Sequence, residues 1–206
     1  MIERTSGVPF DDFLEREVAA PLGADFHFGL PVEQAVRVSA IWPAEGELEM
    51  PTPMAEQVTA EFITGTEWID PSRLPAAIPS SGGITNARAL ARIGSIIALE
   101  GVVDGRRFLT PEIIIAAASE QSYADDLALG WVRYGLGFGL HSDDFPAPTP
   151  TSVHWGGYGG SFLTMDPASG ISCGYAQNQL LLDDGPLADP RRVEFWRLLG
   201  EITDTL

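Results

Sequence analysis

The chain contains no lysine; all 12 of its basic residues are arginine. No residue in it can therefore act as a lysine general base, form a Schiff base, or complete a phosphate-binding P-loop. There is one cysteine, Cys173, so no intrachain disulfide can form. It sits in an apolar, strand-like run, which predicts a buried and unreactive thiol. The three histidines, His27, His141 and His154, are scattered, with no H-x-x-x-H or C-x-x-C spacing. That pattern offers no metal site, and no cofactor is expected. No stretch approaches the roughly 18 apolar residues of a membrane span. Residues 1–20 lack a basic segment followed by an apolar one, so no signal peptide is read and a cytoplasmic location is the default expectation. A G-x-S-x-G nucleophile elbow is also absent.

Positive charge is scarce overall. The formal net charge is -17. A nucleic-acid partner would need arginine and lysine to neutralise phosphates, so none is expected. An anionic membrane surface is disfavoured for the same reason. The simplest consequence is a solvated acidic surface that keeps the chain soluble. Apolar residues make up 45%, enough to bury a sizeable core within one domain or a large part of one.

The order of patterns along the chain is helices, then strands, then a helix. Phe10, Phe13, Leu14 and Val18 recur at helical spacing with acidic residues opposite, predicting an amphipathic helix over 9–22 that stops at Gly23. Short helices are expected around 32–39 and 53–63 among many Pro and Gly breaks. A second strong helix spans about 86–100, capped by Thr85 or Asn86 and ended by Gly101. Thr110-Pro111 starts a third. From 129 onward the chain turns Gly- and aromatic-rich, which suggests extended backbone. Residues 152–155, 161–166 and 171–177 read as strands, the last two joined by the turn Asp166-Pro167-Ala168-Ser169-Gly170. A final helix over 190–204 places Val193, Trp196, Leu199 and Ile202 on one side, expected to pack on the sheet. This order predicts an α+β fold with an antiparallel sheet flanked by helices: a mostly helical portion over 1–128 and a sheet portion with a C-terminal helix over 129–206.

The most concentrated feature is His154-Trp155-Gly156-Gly157-Tyr158-Gly159-Gly160-Ser161. It reads as a strand end, a tight glycine turn and the start of another strand. The glycines are not a phosphate cradle, because they do not open a helix and no lysine completes the motif. Backbone without side chains beside a histidine does let another molecule approach closely.

Five segments, in order and over nearly the whole length, resemble the C-terminal part of the β-lactamase-related serine hydrolases. This family holds class C β-lactamases, D,D-peptidases and carboxylesterases on one fold. Gly7-Val8-Pro9-Phe10-Asp11-Asp12-Phe13-Leu14, with Pro21-Leu22-Gly23-Ala24-Asp25, resembles its G-x-P-F-x-x-F-[LI] … P-L-G-M-x-D segment. Ser80 to Arg92 resembles [SA]-x-G-G-[LI]-x-[ST]-[TN]-A-R-D-L-A-R. Tyr134-Gly135-Leu136-Gly137-Phe138-Gly139 is similar to its Y-G-L-G-[FW] strand. His154 to Ser161 resembles its third active-site motif, K-T-G in lactamases and often H-x-G in esterase-like members. Asp166-Pro167 and Tyr175-Ala176-Gln177-Asn178 resemble its closing hairpin.

The resemblance implies a β-lactamase/transpeptidase-like fold in partial form, and hydrolysis of a small-molecule ester or amide through an acyl-enzyme in the intact protein. It places His154 where the K-T-G cation stands and gives Gly157 one backbone N–H of the oxyanion hole, as the catalytic pair. Trp155, Gly156 and Tyr158 would contact substrate, Trp155 in the threonine position, where an indole would crowd a β-lactam carboxylate. The family's S-x-x-K and Y-x-N motifs lie upstream of the P-F-x-x-F-L helix and do not occur in this chain, so it is expected to be inactive alone. A non-catalytic binding or scaffold module on the same fold is the alternative. An uncovered sheet edge is expected to drive homodimerisation.

Overall fold

The computed structural model describes residues 1–42, 77–80, 82–126, 129–157, 160–179 and 189–205. The chain opens with α1 (Ile2–Ser6) and α2 (Phe10–Leu14), which runs through a π-helical turn (Glu15–Ala19) into α3 (Ala20–Leu22). The predicted helix over 9–22 is thus present, and Gly23 closes it in the left-handed conformation at φ 62°. Its short predecessor α1 carries no apolar periodicity and was not legible. A 3-10 helix spans Val32–Arg37, where a short helix was expected. The helix expected around 53–63 lies outside the described residues.

The central helix is α4 (Ala87–Ala98). Asn86 caps it, its side-chain carbonyl accepting the Ala89 N–H at 3.0 Å. Gly101 then turns the chain away at φ 85°, where a Cβ would come within 2.2 Å of the Leu109 carbonyl oxygen. The hairpin of β1 (Val102–Val103) and β2 (Arg106–Arg107) follows, then α5 (Pro111–Ala117), with Pro111 in its first turn.

Six strands form one antiparallel meander in sequence order: β3 (Ser122–Asp126), β4 (Gly130–Tyr134), β5 (Gly139–Leu140), β6 (Val153–Gly156), β7 (Phe162–Asp166) and β8 (Ile171–Tyr175). The sheet therefore starts at Ser122, earlier than the boundary at 129 expected from composition. The reason is local: Ser122-Tyr123-Ala124-Asp125-Asp126 buries almost none of its side chains, so it has no apolar alternation to betray a strand.

Helices cover both faces of the sheet. On one, α4 packs across β7 and β8 through two glycines. A Cβ on Gly94 would lie 2.7 Å from a Leu163 methyl, and one on Gly174 would lie 2.6 Å from the Leu90 Cβ. This face holds the core cluster of Ile97, Ala98, Ile114, Leu140, Val153 and Met165. On the other lies α6 (Pro190–Thr203), N-capped by Asp189, whose carboxylate accepts the Arg191 N–H at 2.9 Å. Trp196 and Phe195 of α6 meet Phe162 of β7 at ring-centroid distances of 5.6 and 5.4 Å.

The buried stripe of α6 differs from the expected one. Trp196 is buried, but Val193 and Ile202 are more than half exposed, and Arg192 is buried instead. The guanidinium of Arg192 lies 4.9 Å from the Trp196 ring centroid. Stacking on an indole lets the arginine stem and head replace an aliphatic side chain in the stripe.

Candidate active site

Strand β6 carries the residues of interest, and its side chains alternate between the two faces. Val153 joins the α4-side core. His154, next along, points the other way. Its ring stacks on Phe145 at 4.6 Å and meets the Trp196 ring of α6 edge-on at 4.7 Å. Only 1% of it is exposed. Burial, aided by the nearby Arg192 guanidinium, pushes its pKa down to about 3. Its Nε2 has no hydrogen-bond partner among the described residues.

This overturns the expected role of His154. A neutral imidazole enclosed by aromatic rings does not line a site, and it is poorly suited to exchange protons with a substrate. Because side chains alternate along the strand, the exposed position is the next residue, Trp155.

Trp155 returns to the α4-side face and remains 41% exposed. Its indole lies 5.5 Å from the Tyr134 ring and 6.4 Å from the Phe145 ring. The phenol of Tyr134 is pushed up from its ordinary pKa by burial and, secondarily, by the carboxylate of Asp126. Trp155 is thus the side chain of this strand that meets solvent.

The glycine turn is held on both sides. Gly157 donates its N–H to the Ser161 carbonyl at 2.8 Å, and Gly160 donates to the Gly157 carbonyl at 3.0 Å. The Gly157 N–H is therefore committed within the turn, contrary to the expectation that it serves as the oxyanion donor. Gly157 and Ser161 continue the register of Trp155↔Leu163 and Val153↔Met165. Alternation of an antiparallel ladder turns the Gly156 N–H to the opposite edge, toward β5. There the pairing of β5 with β6 ends at Gly139↔His154. Tyr158, expected to contact substrate, lies outside the described residues.

Behind the turn sits the start of α6. Gly160 adopts φ 97°, and a Cβ there would come within 2.3 Å of an Asp189 carboxylate oxygen and 2.8 Å of the Arg191 guanidinium. Asp189 and Arg191 form an ion pair at 2.5 Å, and Arg191 also donates to the Gln179 carbonyl at 3.0 Å. The Asp189 carboxylate stays below its usual pKa: burial opposes ionisation, but the hydrogen bonds from Arg191 outweigh it. None of Tyr134, Phe145, Asp189 or Arg191 was legible as a neighbour of this turn. Tyr134 stood in a recognised strand motif, Asp189 and Arg191 at the capped start of the expected final helix, and Phe145 in a segment with no motif.

A concavity of about 560 Å³ opens elsewhere, beneath α4, where Asp25, Asn86, Arg92 and Ser172 line it. It shares no lining residue with the Trp155 face.

A meander sheet with a helix on each face, and a glycine-tailed strand beside a solvent-facing indole, is the sheet half of a β-lactamase/transpeptidase-like fold. The chain belongs to the β-lactamase family, whose model matches residues 1–195. It is similar to a penicillin-binding protein homologue from Caulobacter crescentus, at 28% identity and a TM-score of 0.80 over 98% of this chain and 54% of that one. It is similar also to a family VIII carboxylesterase, at 26% identity and a TM-score of 0.78, again over 98% of this chain and 54% of the other. The esterase/β-lactamase LipL of Mycobacterium tuberculosis is 34% identical over 110 residues, which are 52% of this chain and 25% of LipL. The chain thus spans about half the length of these solved relatives and a quarter of that curated one.

Proposed function

We propose that these residues form one wall of an esterase-like serine hydrolase, which cleaves a small-molecule ester or amide through an acyl-enzyme. In that reaction a serine oxygen attacks the carbonyl, the leaving alcohol or amine departs with a proton from a general acid, and water then releases the acid. The serine and its base are supplied by residues outside this chain. Trp155 packs the acyl or leaving group, and the backbone edge at Gly156 faces the reacting carbonyl. A backbone N–H aimed at the developing oxyanion lowers the barrier by roughly 3–4 kcal/mol.

The observation that carries this reading is Trp155: a large indole held half-exposed against Tyr134, on a strand whose next residues are glycine. An apolar wall beside bare backbone suits an ester better than a substrate anchored through a carboxylate. The names of two relatives, an esterase/β-lactamase and a carboxylesterase, favour the same chemistry.

The chain alone, and the chain joined to the upstream half of the carboxylesterase relative, would be assayed with a nitrophenyl ester and a chromogenic β-lactam. The expected result is no turnover by the chain alone and ester hydrolysis by the joined protein. Labelling of the chain alone by a serine-directed phosphonate, or a folded joined protein that hydrolyses neither probe, would overturn the reading.

A further inference from the structure

The turn that follows β6 rests at both ends on the start of α6. At its near end, a Cβ on Gly156 would stand 3.9 Å from an Arg192 guanidinium nitrogen. At its far end, Gly160 lies against the Asp189 carboxylate and the Arg191 guanidinium, with no room for a Cβ. Gly156, Gly157 and Gly160 have no side chains to wedge the turn in place, and glycine backbone is the most freely rotating of all. What lies behind the turn therefore bears on where its amides point.

Arg191 joins three segments there. Its Nε donates to Oδ1 of Asp189 at 2.9 Å and its Nη2 to Oδ2 at 2.5 Å, a two-point fork. Its Nη1 donates to the Gln179 carbonyl at 3.0 Å, just beyond β8. The stretch beyond β8 reaches back to the turn in its own right, because the Gln177 N–H donates to the Ser161 hydroxyl at 3.2 Å. Asp189 is buried, so its pairing with Arg191 escapes much of the screening that weakens surface ion pairs. A planar guanidinium holds both carboxylate oxygens and the carbonyl at fixed angles, which a lysine ammonium does not.

A backbone donor speeds a reaction only when it points at the developing oxyanion, and a misplacement of about 1 Å costs up to about a hundredfold in rate. We infer that Arg191 is a positioning residue. With Asp189 as its counter-charge it fixes the Gly156–Gly160 turn, and so the direction of the Gly156 N–H, without itself touching substrate. This role rests on the hydrolase reading above.

The joined protein and a nitrophenyl ester test it. Arg191→Gln is expected to lower kcat about tenfold to a hundredfold with KM within about twofold, at a temperature where circular dichroism shows the variant folded. Arg191→Lys, which keeps the charge and loses the fork, should lose less, and it carries the test if Arg191→Gln does not fold. Arg197→Gln, which breaks exposed ion pairs of the same helix, should leave kcat unchanged. In the chain alone, Arg191→Gln should quicken hydrogen exchange at the Gly157 and Gly160 amides. Wild-type kcat in a folded variant, a rise in KM at constant kcat, an equal loss in Arg197→Gln, or unchanged exchange at both amides would overturn the inference. Ester hydrolysis indifferent to Arg191 sinks this role and leaves the hydrolase reading standing. A folded, unmutated joined protein that hydrolyses no ester sinks the hydrolase reading and the role with it.

Discussion

His154 and Trp155 are adjacent in the chain and lie on opposite faces of the sheet: the imidazole is sealed between Phe145 and Trp196, and the indole is open beside Tyr134. The histidine belongs to the packing under α6, and the tryptophan to an exposed surface.

The burial of His154 has a pH signature. Its folded pKa is about 3, below the ordinary histidine value, so the unfolded chain binds the extra proton first as pH falls. Stability is therefore fully present above the unfolded pKa and is lost as pH falls from about 6.5 toward 3. Between pH 7 and pH 5 the loss should be about 2 kcal/mol. Urea titrations at both pH values would measure it. His154→Phe should remove this loss, because the ring stacking is kept and the unpartnered nitrogen is gone. An equal pH dependence in wild type and variant would refute the assignment.

Gly160 is tied to the start of α6 by space and by backbone conformation together. Gly160→Ala places a methyl against the Asp189 carboxylate at a positive φ, so the Asp189–Arg191 pair must move. The expected cost is about 1–3 kcal/mol, read as a lower denaturation midpoint. Hydrogen exchange should also quicken at the Arg191 amide, which Asp189 caps. Unchanged exchange there would show that the turn and the helix start are independent.

The two edges of the sheet differ in protection. The β3 edge carries Asp125 and Asp126, which discourage pairing with another strand. The β8 edge, Ile171-Ser172-Cys173-Gly174-Tyr175, carries no charge and has a paired neighbour on one side only among the described residues. The chain is expected to form a dimer through β8, seen as a doubled mass by light scattering. A single monomeric mass at high concentration would contradict this.

Much of the fold was legible because local signals agreed with it. Asn86 and Asp189 as N-caps, the left-handed Gly23 and Gly101, and the Asp166–Gly170 turn each act within a few residues, so sequence alone carries them. The strands β6, β7 and β8 showed their apolar runs. The strand β3 did not, because its side chains stay near the surface and leave no alternation.

The sequence by itself determined the chemistry that this chain lacks. Without lysine, S-x-x-K or Y-x-N, it holds no nucleophile–base pair of its family's type, and no folding can create one. It also determined that a glycine-tailed strand would sit at the heart of the matter. Only the tertiary structure decided which side of that strand is sealed and which is exposed. A strand's two faces are equivalent until helices cover them; here α6 seals the His154 side, whereas on the other side α4 lies over β7 and β8 and leaves Trp155 exposed.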